Sequence, residues 1–215
     1  MTETNTSGII TAAADIIAGA FNALPKRVCN QHKFSDYADY LHENLPAQAE
    51  LDLQREKPLN PAPLVSVAIA CSGASRAAVR STLEALGKQT YANFEVCLVS
   101  ELAQAGLTDY EGIPKFRLVL FNGTAHEQLK AAEKMLNGAY FLQLLPGDLP
   151  APDALHMLVL QTHANPEAEV VFADEDSVID GIRQNPIFKP DYGRDTLRSF
   201  NSIGRPMLVS KRVHT

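Results

Sequence analysis

Acidic side chains follow two successive apolar runs of the chain, residues 139–145 and 170–172. They are Asp148 after the first run, and Asp174, Glu175 and Asp176 after the second. Carboxylates on a rigid rim, with no lysine or arginine close by in sequence, suit a hard divalent cation held by oxygen ligands, usually beside a phosphate. Either cluster alone would be an ordinary turn or solvated loop. Their recurrence at successive strand ends favours a binding site.

The predicted elements around these acids bring them to one edge of a sheet. Residues 139–145 are almost all apolar, as is typical of a parallel strand covered on both faces, and Pro146-Gly147 ends that strand. A helix is predicted to begin at Pro152 and Asp153 and to end before Pro166. Because ligands of open α/β sheets bind outside the carboxyl ends of the strands, the acids stand where a ligand would lie.

Strands and helices alternate from residue 65 onward, which predicts an α/β fold with a mostly parallel sheet. The predicted strands are 65–70, 94–99, 116–121, 139–145, 170–172 and 207–209, and the predicted helices follow Ser75 and span 125–136 and 195–200. Residues 185–192 contain two prolines, so we expect no regular structure there.

The N-terminal part has a different pattern. Apolar residues recur at helical spacing from Ile9 to Leu24, and a second helix is predicted from Ser35 to Leu45. Residues 46–63 are polar and proline-rich and are interpreted as a linker. We therefore predict a helical extension with its linker over residues 1–60 and one α/β domain over residues 61–215.

Composition restricts the class of protein. The chain has 215 residues, 46% of them hydrophobic and 20% charged, which suits one globular core. Its net charge of −6 argues against a nucleic-acid binder. Three widely spaced cysteines, Cys29, Cys71 and Cys97, form no CxxC pair and are expected to be reduced thiols.

No signal peptide or membrane span is evident, so we expect a cytoplasmic protein. The apolar face of Ile9–Leu24 is a candidate contact for a protein partner or the inner membrane surface.

Several short motifs occur in the order and spacing of one enzyme family. They are Phe94-Glu95-Val96, Gly138-Ala139-Tyr140, Ala151-Pro152-Asp153-Ala154-Leu155, Ala173-Asp174-Glu175-Asp176 and Asn185-Pro186-Ile187-Phe188-Lys189-Pro190-Asp191. Over residues 36–212 the chain resembles family 2 glycosyltransferases, in particular those that build cell-surface polysaccharides. The resemblance implies a GT-A, Rossmann-like domain that binds a nucleoside-diphosphate sugar and transfers the sugar to a growing glycan acceptor. It also implies that the transfer inverts the configuration of the anomeric carbon. A divalent cation, Mn²⁺ or Mg²⁺, is then expected to neutralise the departing diphosphate.

The resemblance also assigns roles to residues on the nucleotide side of the cleft. Asp148 matches the last acid of the metal motif and is the metal candidate. Ser100 and Glu101 stand where the family has aspartates that contact the nucleotide base. Ser72 and Gly73 precede a predicted helix N-terminus, where phosphate binding is favoured, although a plain turn capped by Ser75 explains them equally well.

On the sugar side of the cleft, the resemblance places Asp174, Glu175 and Asp176. Lys189 and Asp191 match the family as well, and a structural role also explains them. The family's usual base would lie beyond Thr215, so the catalytic base is unknown. The chain is then expected to be part of a longer enzyme, a short form that binds without transferring sugar, or one whose site a partner completes.

Two other functions are consistent with the residues. The first is a non-catalytic glycosyltransferase-like interaction module, which the incomplete metal and base-recognition motifs favour. The second is a short-chain dehydrogenase, suggested by Ser72 and Gly73 after the first strand. Ala77 and Ala78 replace the later glycines of a dinucleotide loop, however, and no Tyr-x-x-x-Lys pair occurs. Binding of a nucleoside diphosphate would distinguish these functions.

Overall fold

The computed structural model describes residues 37–101, 113 and 115–213. Its helices are α1 (Tyr37–Asn44), α2 (Gln48–Glu56), α3 (Arg76–Gly87), α4 (Ala125–Glu133), α5 (Ala154–Ala164) and α6 (Arg194–Ser199), with a final 3-10 turn at Lys211–Val213. Its strands are β1 (Val65–Ala70), β2 (Phe94–Ser100), β3 (Phe116–Leu120), β4 (Tyr140–Leu144), β5 (Val170–Phe172), β6 (Glu175–Ile179), β7 (Ile182–Ile187) and β8 (Met207–Ser210). The predicted Ile9–Leu24 helix and Cys29 lie outside the described residues.

Six strands form one sheet in the order β3-β2-β1-β4-β8-β5. The pairs β1–β2, β2–β3 and β1–β4 are parallel, whereas β8 runs antiparallel to both β4 and β5. The predicted class, an α/β domain with a mostly parallel, Rossmann-like sheet and flanking helices, is confirmed. None of the described helices is both long and apolar enough to cross a bilayer.

Strands β1 and β2 are buried along their whole length because helices cover both faces of the sheet. The larger core lies on the face covered by α3 and α5 and includes Val67, Ile69, Leu83 and Leu155. A smaller cluster on the other face joins Ala68 and Cys97 to Ala132 of α4. Helix α3 begins where the sequence predicts, since the Ser75 side chain accepts a hydrogen bond from the Ala78 N–H at 3.2 Å.

A buried polar cluster joins the amino-terminal ends of the central strands. Glu95 of β2 is 1% exposed, and its Oε1 accepts hydrogen bonds from the Ser66 hydroxyl and the Asn137 N–H, both at 2.7 Å. The Ser66 oxygen in turn accepts from the Gly138 N–H at 2.8 Å. A Cβ on Gly138 would lie 2.5 Å from that oxygen, so this close approach requires glycine. The cluster fixes β1, β2 and the start of β4 relative to one another.

Three segments differ from the sequence prediction, and one of them is β6, because Glu175 and Asp176 were expected to follow a strand and instead begin one. Residues 46–63, predicted as a linker, contain helix α2, whose Leu51 and Gln54 are buried; the Thr90 hydroxyl donates to Gln54 Oε1 at 2.6 Å. The helix was missed because only a narrow face of it is buried. The domain boundary near residue 60 stays a prediction.

Residues 185–192 were expected to be irregular, but β7 extends to Ile187 and pairs antiparallel with β6. Pro186 is tolerated because this ribbon has only two strands, so one side of each strand forms no ladder hydrogen bonds. Asp180-Gly181 forms the connecting turn, as the sequence predicts, and both residues have positive φ angles.

Candidate functional site

The carboxyl ends of β1, β2 and β4 meet at one edge of the sheet. Ala70 pairs with Val99, and Ile69 pairs with Leu144, so the segments that follow these strands are neighbours. They carry the candidates predicted on three separate segments, namely Ser72 and Gly73, Ser100 and Glu101, and Asp148. The edge therefore has the arrangement that α/β proteins use for ligands.

The loop after β1 is hydrogen-bonded to helix α4 through a residue that the sequence analysis did not identify. Gln128 of α4 is fully buried, and its Oε1 accepts the Ser72 N–H at 3.0 Å while its Nε2 donates to the Phe121 carbonyl at 3.2 Å. Gly73 is exposed, has a φ of +69°, and would have open space around a Cβ. The loop thus presents backbone to solvent just before the N-terminus of α3, as a phosphate contact requires.

The segment after β2 offers less to a ligand. Ser100 is 1% exposed, and its hydroxyl donates to the Glu101 carbonyl at 3.3 Å. Glu101 is half-buried and is the last described residue before a gap at 102–112. Their predicted contact with the nucleotide base stays a prediction.

Two thiols and one imidazole of the domain are buried. Burial raises the pKa of the Cys71 thiol to about 12 and that of Cys97 to about 11, which suits the predicted core thiols. His156 of α5 is buried as well, and burial lowers its pKa. The raised pKa of each thiol disfavours the reactive thiolate form.

Asp148 closes a tight turn and forms an ion pair. Its Oδ2 accepts the Leu145 N–H at 2.7 Å and the Arg205 Nε–H at 3.2 Å. Gly147 has a φ of +100°, and its N–H lies 3.0 Å from the Ala78 carbonyl and 2.9 Å from the Thr82 hydroxyl oxygen of α3. The turn that carries Asp148 therefore packs on the first two turns of α3.

The second acidic cluster is organised by Lys189. The Lys189 N–H donates to Asp174 Oδ1 at 2.7 Å. Its side chain is 2% exposed, and Nζ donates to the Arg205 carbonyl at 2.6 Å and lies 3.4 Å from Glu175 Oε1. Gly204 permits this packing, because a Cβ there would lie 2.8 Å from Glu175 Oε1. Lys189 and Arg205 thus connect Asp174 and Glu175 to Asp148, so the structure brings together the two acidic clusters predicted to share one site.

Asp176 has different partners. Its Oδ2 accepts from Arg183 Nε at 2.6 Å and from the Tyr37 hydroxyl at 2.5 Å. Burial, and then the hydrogen bond to Asp176, raise the pKa of Tyr37. The Tyr37 ring stacks on Tyr40 with centroids 5.8 Å apart, and Phe188 meets Tyr40 edge-on at 5.2 Å. Helix α1 is therefore docked on the β6–β7 ribbon.

A cavity of about 180 Å³ lies between α1 and the second acidic cluster. Asp174, Glu175 and Arg183 line one part of it, and Tyr37 and Tyr40 line another. Pockets for drug-sized ligands are larger, roughly 300–1,000 Å³. As it stands, this cavity would admit only part of a sugar nucleotide.

The residues around Asp148 do not fit a divalent cation. A divalent cation that also binds a phosphate still requires one or two protein carboxylates that are free to accept it, and no group of three or more Asp, Glu, His or Cys side chains is placed to hold a metal ion within the described residues. Asp148 Oδ2 already accepts two hydrogen bonds, one of them from a guanidinium whose positive charge would repel a metal ion.

Sequence comparison relates the chain to two curated proteins, although no family model matches it. The uncharacterized protein y4gI of Sinorhizobium fredii is 33% identical over 150 residues, covering 66% of this chain. The O-antigen biosynthesis protein RfbC of Myxococcus xanthus is 27% identical over 187 residues, covering 83% of this chain. This chain is a partial homologue of RfbC. It spans only 16% of y4gI and 15% of RfbC.

Two solved structures show a more distant likeness to this chain. S. aureus TarS 1–349 in complex with UDP has a TM-score of 0.44 and 14% identity, covering 55% of this chain and 37% of TarS 1–349. The mannosyltransferase PcManGT of Pyrobaculum calidifontis, in complex with GDP-Man and Mn²⁺, has a TM-score of 0.43 and 20% identity, covering 77% of this chain and 47% of PcManGT. Scores this low assign neither a ligand nor a residue role here.

Proposed function

We propose that this domain binds a nucleoside-diphosphate sugar at the carboxyl edge of β1, β2 and β4 and serves the transfer of its sugar to a growing cell-surface glycan. The observation that carries the proposal is the meeting of Ser72, Gly73 and Asp148 at that edge, with Asp174 and Glu175 connected to Asp148 through Lys189 and Arg205. The partial homology to an O-antigen biosynthesis protein supports the glycan context.

The chemistry follows from the two halves of this site. The exposed backbone of the loop after β1 and the N-terminus of α3 would hold phosphate oxygens. Asp174 and Glu175 would contact sugar hydroxyls, which donate well to carboxylates. Transfer would be a single displacement with inversion, in which the acceptor hydroxyl attacks the anomeric carbon and the nucleoside diphosphate leaves. The acceptor hydroxyl must also lose its proton to a base, and we assign that role to none of the described residues.

Thermal unfolding with UDP, GDP and dTDP tests this proposal, each with Mn²⁺ and again with EDTA. A nucleotide at a hundred times its dissociation constant should add about 2.7 kcal/mol to the free energy of unfolding. In a chain of this length that is a rise in Tm of about 5–10 °C. NAD⁺ is the control, and it should leave the Tm unchanged.

The principal alternative is a non-catalytic interaction module. One observation favours it: helix α1 engages Asp176 through Tyr37 and leaves only a small cavity beside Asp174 and Glu175. No Tm shift with any nucleotide at millimolar concentration would support this alternative. A shift with NAD⁺ alone would instead support the dehydrogenase. The strand order of the described residues disfavours that function, because a dinucleotide-binding fold has a second parallel half, and here the antiparallel strand β8 interrupts it.

A further inference from the structure

Arg205 stands beside Asp148 at the place where the family resemblance implies a metal ion. The two residues are 57 positions apart in sequence and meet only because the loop before β8 reaches the turn after β4. We propose that the Arg205 guanidinium, and not a divalent cation, neutralises the diphosphate bound at this edge, and that Asp148 orients the guanidinium. The inference rests on the function proposed above, and it changes the role predicted for Asp148 from metal ligand to positioning residue.

The backbone of Arg205 is fixed by contacts on both sides. Its carbonyl accepts from the buried Lys189 ammonium at 2.6 Å, and the preceding Gly204 packs against the Glu175 carboxylate. Asn201 Oδ1 accepts from the Gly204 N–H at 3.2 Å, which braces the loop from within. The fold therefore fixes the backbone position from which the Arg205 side chain reaches Asp148.

The Arg205 side chain retains the capacity to bind an anion. Only its Nε donates to Asp148, and neither Nη1 nor Nη2 has a hydrogen-bond partner among the described residues. The side chain is 44% exposed and that of Asp148 is 27% exposed, so solvent screens the pair and it contributes little to folding. A guanidinium held at Nε presents its two Nη groups as a fork, the geometry that binds phosphate oxygens bidentately.

The surroundings of the pair also suit a phosphate. The Asp148 turn packs on α3 through the hydrogen bond from the Gly147 N–H to the Ala78 carbonyl. The N-terminus of that helix, with its partial positive charge, lies at the same edge. An anion bound there would meet the helix terminus and the guanidinium together. A metal ion would meet only one carboxylate, already engaged by Arg205.

Equilibrium binding of UDP, GDP and dTDP, measured by calorimetry with EDTA and with Mn²⁺, tests the inference. We expect the best nucleotide to bind the unaltered chain equally well in both buffers, within about twofold. R205Q should weaken its binding roughly 10- to 100-fold, as expected for loss of hydrogen bonds to a charged group. R205K should weaken it less, because it keeps the charge but loses the fork.

Two further variants separate the outcomes. R198Q removes an exposed arginine that pairs with Asp195 on α6, and it should bind as the unaltered chain does. The Tm of each variant without ligand verifies that it folds. Binding that requires Mn²⁺, is abolished by D148N and survives R205Q would overturn the inference and leave the proposed function standing. Absence of binding by every nucleotide in both buffers would overturn both.

Discussion

Glu95→Ala should lower the free energy of unfolding by about 3 kcal/mol, since it leaves buried donors without an acceptor. The Glu95 carboxylate accepts from the Ser66 hydroxyl and the Asn137 N–H and lies 3.6 Å from Arg117 Nη2. Arg117 can turn to solvent because its side chain is 42% exposed, but the two donors cannot. In a chain of this length the loss corresponds to a fall in Tm of about 6–12 °C.

Two control variants make the Glu95 measurement specific. Glu95→Gln keeps an oxygen for the Ser66 and Asn137 donors, so it should cost markedly less than Glu95→Ala. Glu84→Ala removes an exposed glutamate of α3 and should change stability by no more than about 0.5 kcal/mol. Equal losses for Glu95→Ala and Glu95→Gln would show that the hydrogen-bond cluster does not stabilise this end of the sheet.

Lys189→Met should destabilise the chain by about 2 kcal/mol and also weaken nucleotide binding. The variant removes the donor to the Arg205 carbonyl and the positive charge beside Glu175, and so releases the loop that carries Arg205. Methionine keeps much of the apolar stem, so the loss reports on the ammonium rather than on packing. Denaturant unfolding and calorimetry with the best nucleotide measure the two effects.

Lys134→Met is the matched control, since Lys134 is exposed at the end of α4. It should change neither stability nor nucleotide affinity measurably. If Lys189→Met lowered stability but left nucleotide affinity unchanged, the lysine would brace the ribbon without holding Arg205 in place for a ligand. That outcome would argue against a functional connection between the two acidic clusters through Lys189 and Arg205.

Most of the sheet could be predicted because its signals are local. The apolar run before Pro146 identified β4, and Ser75 identified the start of α3 by its capping chemistry. The placement of Asp148 and of Asp174 at strand ends followed from those strands. Local patterns also placed the short helix near residue 195 and the last strand at Met207 within about one residue.

The features that connect the site could not be predicted, because they depend on contacts between distant segments. Nothing near Arg205 in sequence indicates that its guanidinium meets Asp148. Gln128 resembles any polar residue of an amphipathic helix, yet it is fully buried against the loop after β1. Helix α2 and strand β7 were missed for a related reason, since tertiary packing outweighed a polar or proline-rich local composition.

Hydrogen–deuterium exchange with and without the best-binding nucleotide tests the central claim most directly, because it locates the ligand on the chain. We expect slower exchange in peptides that cover residues 71–76, 145–148 and 203–206, which carry the loop after β1, the Asp148 turn and Arg205. The opposite edge of the sheet, around residues 64–66 and 137–138, should exchange unchanged. Protection confined to that opposite edge, or absent from all three peptides at saturating nucleotide, would contradict the account.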